Sequence, residues 1–590
     1  MIDRKDQKTT DTWDLSSLFK SNAEWREALN VFSEKTSKAQ DFKGKLASSE
    51  EIFHEALEYI EEMYKELEKL SSYAFLSFCQ DGTDNINAEM AGIISSVEAD
   101  FTAKLSYFEP EMMNMDKSFI EKCVSDSSFS KFRVYIKKTA REKEHILTEK
   151  EEHLLSLFSP IASGSSDAFN DLNNIDLSFD DVDGESLSHS TFHKFMLSAD
   201  EGKRKRAYKN YYEEYAKHQH VIARLYENSI KKDIFLAKAR GFKSSLEKSL
   251  FPDNMPTAVY SSLIESVHDN LQTLHRFYNL KARLLGKTEL HHYDVYAKML
   301  STPIQRYNYD DAVSIIYEAT APLGNEYRNI LRKGLTDERW VDRYENRGKR
   351  SGAFSAGGYS GLPYILTNFE NDDLSSVFTL IHEGGHSMHS YYSAKRNPFM
   401  SYSYTIFEAE VASTFNENLL HHYLQKNAEN NEEKIFLIAK NLDDIVATLF
   451  RQTMFAEFEL IMHEKAEKGE AITLNEMRRE YRKLLEAYFG PIMNLEEESD
   501  LECLRIPHFY RAFYCYKYAT GISASIALSE KVINGGENDR LKYLRFLKSG
   551  GSEYPLDSLK KAGVDMATKT PVDNAIKHFA NLLDKMEELL

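Results

Sequence analysis

Apolar residues recur every three or four positions along most of this chain, with charged residues on the positions between them. The stretch 50–78 shows this most clearly, because a stripe of aliphatic, aromatic and methionine residues alternates with glutamate and lysine. That period is typical of an amphipathic helix whose apolar face packs into a core. The pattern predicts successive helices from about residue 20 to 160, again from about 192, and from about 373 onward.

Two stretches interrupt the helical pattern. Residues 163–190 are rich in Ser, Asn and Asp, and Asp183-Gly184 stands between short alternating segments, which is a hairpin signal. Residues 347–370 hold five glycines and then PYILTNF, which predicts a loop followed by a short strand. We place a domain boundary at the first stretch, so that a helical domain over 1–190 ends in the hairpin and a second domain covers 191–590.

The composition supports a mainly α fold with a small β element. The 590 residues include only 25 glycines and 12 prolines, roughly 6% of the chain where about 12% is average, and an all-β protein needs many more tight turns. The four cysteines are widely spaced and form no C-x-x-C pair. We therefore expect a reducing compartment, with neither a disulfide framework nor a cysteine-based zinc knuckle.

Net charge and hydropathy exclude two classes of partner. The chain carries a formal charge of −19, so we expect no binding to nucleic acid, which is a polyanion. We expect no membrane-spanning helix, because no window approaches 18 uninterrupted apolar residues. The charged N-terminus lacks the apolar stretch of a signal peptide, which favours a cytoplasmic location.

The clearest chemical signal is His-Glu-Gly-Gly-His at 382–386, which fits the motif H-E-x-x-H. On a helix, His382 and His386 share one face, so both imidazoles can reach one Zn²⁺. Glu383 lies about 100° round from His382, where it can accept a proton from the attacking water without ligating the metal. The alternative is a pair of packed histidines, but the two glycines each disfavour a helix by roughly 1 kcal/mol, which a purely structural helix would not retain.

Zinc needs a third protein ligand as well as an open position. A metzincin would have Gly at 389 and His at 392, whereas this chain has His389 and Tyr392, so that class is excluded. The following predicted helix offers Glu408, Glu410 and Glu417. Glu408 points toward the apolar side of that helix, and the geometry favours Glu410 as the ligand.

Two further residues near the motif have open roles. Glu417 is placed to hydrogen-bond a ligating histidine from outside the metal's own ligand set. His389 shares the face of His382 and His386, and both an outer supporting role and plain packing remain open for it.

These residues belong to a longer stretch that resembles a known family. HEGGHSMHSYYS (382–393), followed by TIFEAEVASTFNE (405–417), resembles the thimet oligopeptidase-like zinc metallopeptidases, most closely their oligoendopeptidase F group. The resemblance spans nearly the whole chain. Further matching segments are TWDLSSLF (12–19), ARGFKSSLEKSL (239–250), HHYDVYAKM (291–299), GKRSGAFS (348–355), PYILTNF (363–369) and IPHFYRAFYCYKYATG (506–521).

The resemblance implies an elongated, nearly all-helical fold with a deep substrate channel between an N-terminal part and a catalytic part within 191–590. It implies one Zn²⁺ held by His382, His386 and Glu410, with Glu383 as the general base and short peptides as substrates. Gly384 departs from the larger apolar residue often found at that position, which the motif leaves free.

The family also places a histidine and tyrosines from a C-terminal loop over the zinc. Here the segment HFYRAFYCYKY supplies them, and we favour His508 and Tyr514, with Tyr518 next, as donors to the oxyanion of the transition state. Tyr510 and Tyr516 are the other tyrosines of this segment. Any of these aromatic residues can instead pack in a core or a channel wall.

We therefore expect a zinc-dependent endopeptidase that cuts internal bonds of short unfolded peptides, with PYILTNF as an edge strand beside the extended substrate. Two alternatives remain, a zinc carboxypeptidase and an inactive helical scaffold that binds peptides. The preferred bond, the physiological peptides and the oligomeric state do not follow from the sequence.

Overall fold

The computed structural model describes residues 2–300 and 307–590. It is 73% helical with 3% strand, which confirms the mainly α class. Within the described residues, the helices of the first half are α1 (Asn22–Lys35), α2 (Glu50–Gln80), α3 (Asn85–Leu105), α4 (Phe108–Met113), α5 (Lys117–Ser125), α6 (Arg133–Arg141), α7 (Glu149–Asp171), α8 (His189–Met196), α9 (Glu201–Ala239), α10 (Ser245–Leu250), α11 (Thr257–Asp269) and α12 (Leu271–Leu284).

The second half continues the helical pattern, and five short strands accompany it. The helices are α13 (Tyr309–Ala319), α14 (Gly324–Leu335), α15 (Leu374–Arg396), α16 (Ile406–Asn427), α17 (Asn431–Ile445), α18 (Arg451–Glu467), α19 (Leu474–Phe489), α20 (Tyr516–Asn534), α21 (Glu537–Ser549), α22 (Pro555–Ala562) and α23 (Thr570–Leu589). The strands of the described residues are β1 (Leu290–His291), β2 (Val341–Asp342), β3 (Phe354–Gly357), β4 (Pro363–Leu366) and β5 (Met493–Asn494).

The chain forms two compact units, and each gathers three separate stretches. The first unit comprises Met1–Ile146, Ile304–Lys426 and Ser525–Val564; the second comprises Leu147–Pro303, Asn427–Ala524 and Asp565–Leu590. Helix α20 therefore contributes residues to both. The domain boundary at residue 190 stays a prediction.

A three-stranded sheet of the first unit corrects one prediction. The strand order is β2-β4-β3, with β4 parallel to β2 and antiparallel to β3. PYILTNF was predicted to offer an edge strand, but its strand β4 is central and every residue of it is buried. The unbroken apolar run Pro363–Leu366 is typical of a strand covered on both faces, which explains the difference. The half-buried edge strand is β3.

The N-terminal segment TWDLSSLF (12–19) packs against this sheet. The ring of Trp13 meets that of Tyr364 edge-on, with centroids 6.1 Å apart. The Tyr364 hydroxyl donates to the backbone carbonyl of Asp14 at 2.8 Å. The same core includes Trp25 and Phe53, both without exposed surface. Burial of these rings, each worth about 1.5–3 kcal/mol, anchors β4 and with it the adjacent β3.

The stretch 163–190 is less irregular than its composition indicates. Helix α7 runs on to Asp171, because Phe169 is fully buried and its ring stacks on Tyr510 at 4.4 Å. The Asp183-Gly184 turn is present, with both residues at positive φ (54° and 81°), as such turns require. The hairpin itself reduces to a single bridge between Val182 and Glu185.

Two features of the described residues concern the cysteines and the hydropathy of the helices. All four cysteines are buried and free. Across residues 2–300 and 307–590, no helix has both the length and the apolar character needed to cross a membrane.

Candidate metal centre

Helix α15 carries the H-E-x-x-H motif near its middle. It begins after Asp373, whose side chain accepts a hydrogen bond from the backbone N–H of Ser375 and so caps the first turn. The helix has an apolar stripe that is buried, with Val377, Ile381 and Met388 fully covered. Burial of that stripe leaves the histidines of the motif on an adjoining face.

The two motif histidines lie close together on α15. The rings of His382 and His386 are nearly perpendicular, at 83°, with centroids 4.8 Å apart. The prediction that both imidazoles share one helical face is therefore confirmed, because two rings at this separation can offer nitrogen atoms to a single point.

Gly385 brings the next helix into contact with α15. A Cβ added at Gly385 would lie 2.6 Å from the carbonyl oxygen of Ala412 and 2.7 Å from Cα of Ser413. Only a glycine allows this approach, because such distances are shorter than any real Cβ contact. The backbone of α16 thus packs directly against α15, and Glu410 on α16 is brought beside the motif.

Three side chains converge where these helices meet. His382, His386 and Glu410 each offer one ligand atom, and these atoms all lie within 4.8 Å of one another. The Nε2 atom of His382 is 3.9 Å from Oε2 of Glu410. Two imidazoles and one carboxylate are the donor set of a catalytic zinc site that keeps a position open. The residues present therefore fit this metal.

Glu417 contacts His382 from the side away from this cluster. Its Oε1 lies 2.5 Å from Nδ1 of His382, one turn or two beyond Glu410 on α16. When Nε2 binds a metal, a carboxylate at Nδ1 keeps the remaining ring proton on Nδ1 and fixes the orientation of the ring. Burial alone would lower the pKa of His382, but the adjacent Glu417 carboxylate raises it to about 9. The contact predicted for Glu417 is present.

Glu383 is buried beside the cluster, with 8% of its surface exposed. Burial raises the pKa of its carboxyl to about 7, against the lowering effect of the charge on His382; Glu410 and Glu417 add to the rise. The backbone N–H of Ser355, on β3, stabilises the charged form. A carboxyl with a pKa near neutrality can both accept and return a proton.

His389 and Glu408 take structural positions. His389 has no exposed surface, its ring stacks on Tyr404 at 3.6 Å, and neither ring nitrogen has a hydrogen-bond partner among the described residues. Burial lowers the pKa of His389 to about 3, so it is neutral. These contacts favour the packing interpretation. Glu408 is buried as its helical position predicts, and it accepts a hydrogen bond from Ser558 at 2.7 Å.

The predicted oxyanion donors form their own cluster in the second unit. The rings of His508 and Tyr514 stack with centroids 5.8 Å apart, and Tyr518 stands edge-on to Tyr514 at 5.3 Å. These three side chains are partly exposed, whereas Tyr510 and Tyr516 are buried. The alternative of core packing therefore describes Tyr510 and Tyr516. The role of the other three toward the metal centre stays a prediction.

Sequence reasoning missed two residues of α18, Glu459 and His463, that contact the segment carrying this cluster. Phe513 has φ +56°, an uncommon value for a bulky residue, and its N–H donates to Oε1 of Glu459 at 2.6 Å. Glu459 on α18 has no exposed surface, and the ring of His463, one turn further on, lies 4.6 Å from that of Phe513. The available signal was a pair of glutamates, Glu457 and Glu459, inside the apolar run 454–462 of α18, and many surface helices show a similar pattern.

Comparison with known proteins connects these sites to a family. A model described as Peptidase family M3 matches residues 194–578, and one described as Oligopeptidase F matches residues 111–179. This chain belongs to peptidase family M3. The whole motif region and both clusters described above fall within the M3 match.

Relatives in the M3 family match over the full length of the chain. The Oligoendopeptidase F homolog of Borreliella burgdorferi is 40% identical over 589 residues, covering 100% of both chains. Oligopeptidase PepF of Bacillus subtilis is 37% identical over 594 residues, covering 100% of this chain and 88% of that one. The crystal structure of oligoendopeptidase-F from Enterococcus faecium has a TM-score of 0.75 at 32% identity and covers 96% of this chain and 98% of its own.

A second solved structure is more similar in shape. A chain from Chlamydophila abortus has a TM-score of 0.92 at 36% identity, with 100% of both chains covered. M3 membership confirms the resemblance to the oligoendopeptidase F group that the motifs carry. It also makes the chain a metallopeptidase, which agrees with the donor set found at α15 and α16.

Proposed function

We propose that this chain is a zinc-dependent endopeptidase that hydrolyses internal bonds of short, unfolded oligopeptides. The observation that carries the proposal is the convergence of His382, His386 and Glu410, with the buried carboxyl of Glu383 beside them. The names of the full-length relatives, oligoendopeptidase F and oligopeptidase, support the same substrate class.

Each residue of the centre has a distinct task in this proposal. Bound by His382, His386 and Glu410, zinc would supply a Lewis acid that polarises the scissile carbonyl and acidifies the attacking water. Glu383 accepts the proton of that water and returns it to the leaving amine, as its pKa of about 7 allows. Glu417 holds Nδ1 of His382, so that Nε2 keeps its lone pair for the metal.

We assign the substrate strand to β3 instead of β4. β3 is the half-buried edge strand of its sheet, the other edge, β2, being buried. Ser355 on β3 adjoins Glu383, and its hydroxyl group lies 2.8 Å from that of Ser387 on α15. An extended peptide that pairs with this edge would lie along the catalytic carboxyl, and its backbone hydrogen bonds would demand little of its sequence.

His508, Tyr514 and Tyr518 complete the proposal as donors to the oxyanion that forms on the scissile carbonyl. Imidazole and phenol groups suit this task, and their partial exposure leaves room for a ligand. A deep channel that admits peptides and excludes folded proteins, and a cytoplasmic location, remain predictions attached to the same proposal.

The Glu383→Gln variant tests the assignment of the general base. We expect metal content, measured by mass spectrometry, to be retained, because Glu383 does not ligate. Hydrolysis of an internally quenched peptide should fall by about 10²–10⁴-fold, the usual contribution of general base catalysis. Glu370→Gln is the matched control, because Glu370 is exposed just before α15 and the charge change is the same. Full activity of Glu383→Gln would refute the assignment.

Peptides with blocked termini separate the proposal from a zinc carboxypeptidase. An endopeptidase cuts a peptide that is acetylated and amidated, whereas a carboxypeptidase needs the free terminal carboxylate. A mixed-length library, analysed by mass spectrometry with and without chelator, also gives the preferred bond and the size limit. Cleavage that survives complete removal of the metal would favour neither enzyme and would overturn the metal centre.

A further inference from the structure

A cavity of about 820 Å³ opens within the first unit, away from the metal ligands. Its walls are the last turns of α15, one face of α21, and α22. Arg396, the last residue of α15, is ten residues beyond His386, about 15 Å along a helix. This volume lies in the range of small-molecule pockets, about 300–1,000 Å³.

The walls of this cavity are basic, in contrast to the chain as a whole. Eight charged residues line it, six of them positive, while the full chain has a net charge of −19. The lining cations are Lys395, Arg396, Lys542, Arg545, Lys548 and Lys561, and the lining anions are Glu326 and Glu553. A concave surface that concentrates one sign of charge attracts ligands of the opposite sign.

Four of these six cations are not neutralised by a carboxylate. Lys542 pairs with Asp539 and Lys561 with Glu553. In the part of the chain that the structure describes, the other four have no carboxylate oxygen within 4.0 Å, and Lys395 instead contacts the hydroxyl group of Tyr391. The Nζ atom of Lys548 lies over the Tyr392 ring, 5.2 Å from its centroid.

The simplest structural explanation accounts for part of this charge. Lysine and arginine in the last turn of a helix stabilise its negative end, which covers Lys395 and Arg396 on α15 and Lys548 on α21. Lys542 and Arg545 lie in the middle of α21, three residues apart on one face, where the helix dipole gives them no such role. Binding of an anionic ligand in the cavity would account for the cations at the helix ends and for those in the middle of α21.

The uncharged part of the wall combines aromatic and aliphatic side chains with one asparagine and three serines. Tyr391 is partly exposed, and Leu541 has 47% of its surface exposed. We propose that this cavity binds a phosphate-bearing small molecule, with its phosphates on Arg396, Arg545 and Lys548 and an aromatic ring against Tyr391. Guanidinium and ammonium groups both bind phosphate through charge-assisted hydrogen bonds. A nucleoside triphosphate has both required features.

This site goes beyond the proposed peptidase function, and its test needs no peptide. A structural connection exists nonetheless, because Ser558 in the cavity wall donates to Glu408, two residues before the ligand Glu410 on α16. A bound molecule would therefore contact an element that holds the third ligand in place.

Titration calorimetry of the full chain tests the proposal, with ATP, tripolyphosphate and adenosine as probes at constant ionic strength. We expect ATP to bind, adenosine not to bind measurably, and tripolyphosphate to bind as tightly or more weakly. If tripolyphosphate binds with the same affinity as ATP, the phosphate charge is sufficient for binding. If it binds more weakly, the adenine ring of ATP contributes to the affinity. Failure of both ATP and tripolyphosphate to bind would overturn the proposal.

Two sets of variants locate the binding. The affinity for ATP should fall by about 10-fold or more in the double variant Arg545→Glu/Lys548→Glu. The same fall is expected in the separate variant Arg396→Glu, at an exposed position. Lys577→Glu with Lys585→Glu on α23 makes the same charge change at exposed positions elsewhere and should leave the affinity unchanged. An equal loss of ATP affinity in the cavity variants and in the α23 control would indicate general electrostatic attraction. Unchanged affinity in the cavity variants would place the phosphate elsewhere, including at the metal centre. Either result overturns the proposal.

Discussion

The backbone of Gly385 lies against the carbonyl of Ala412, so closely that a methyl group on Gly385 would stand 2.6 Å from that oxygen. Helix α15, which carries two candidate ligands, and helix α16, which carries the third, therefore meet without a side chain between them at this point. The separation of His386 from Glu410 depends on this contact.

Gly385→Ala should consequently damage the metal centre. The added methyl group must push α16 away, which we expect to cost about 1–3 kcal/mol in the free energy of unfolding and to weaken zinc binding. Gly384→Ala is the control, because its Cβ would meet only the end of the Leu331 side chain at 3.1 Å, while alanine favours the helix by about 1 kcal/mol. Denaturant unfolding measures the stability of both variants, and mass spectrometry measures their metal content. Equal stability and equal metal content in Gly385→Ala and Gly384→Ala would contradict the packing argument.

Glu417→Gln should lower zinc affinity without removing a ligand. The amide can still accept a hydrogen bond from Nδ1 of His382, but its neutral oxygen no longer supports the charge on that ring. Changes of this kind usually reduce metal affinity by about 10–100-fold. Competition with a chromophoric chelator measures the effect, with the exposed Glu432→Gln of α17 as control. Unchanged affinity would show that Glu417 does not orient His382.

The donor cluster of the second unit can be dissected one hydroxyl at a time. If Tyr514 donates to the oxyanion, Tyr514→Phe should reduce kcat by about 10²–10³-fold, with KM nearly constant because the donor acts in the transition state. Tyr518→Phe tests the neighbour in the same way. Tyr510→Phe is the control, since Tyr510 is buried. A change confined to KM would assign Tyr514 to substrate binding instead.

Glu459 predicts a distinct dependence of stability on pH. Burial raises the pKa of this carboxyl well above its usual 4.5, the N–H of Phe513 lowers it, and the charge of Asp233 raises it further. The folded chain therefore keeps a proton that the unfolded chain releases, so the contribution of Glu459 to stability falls as pH rises above about 4.5. Glu459→Gln removes this titration.

The variant should therefore gain in unfolding free energy relative to the unmodified chain between about pH 5.5 and pH 8. Denaturant unfolding at each pH gives the difference in unfolding free energy between the variant and the unmodified chain. The test is the change of this difference with pH, because the amide also alters packing at any pH. Glu464→Gln, exposed on the same helix, should show no such change. Parallel pH profiles for Glu459→Gln would mean that Glu459 is ionised in the folded chain.

Much of the candidate site could be predicted because its information is local. Four-residue spacing places His382 and His386 on one helical face regardless of what surrounds the helix, and the same periodicity separates Glu410 from Glu408 on the next helix. The low content of glycine and proline likewise determined the helical class. The two glycines inside the motif disfavour a helix and so indicated a role other than helix formation; only the structure shows that Gly385 admits the backbone of α16.

Other features depended on partners that are distant in sequence. The strand PYILTNF became central because β2 and β3 pair with its two edges. Helix α7 extends to Asp171, into the serine-rich stretch, where Phe169 stacks on a partner more than 300 residues away. The buried carboxyl of Glu459 has only an ambiguous signal in the sequence of α18, and the cations of the basic cavity beside α21 come from segments distant in the chain. By itself, the sequence determined the helices and the faces on which the ligands lie, since both follow from backbone periodicity; only the tertiary structure decided which faces meet, since that depends on burial and close packing between remote segments.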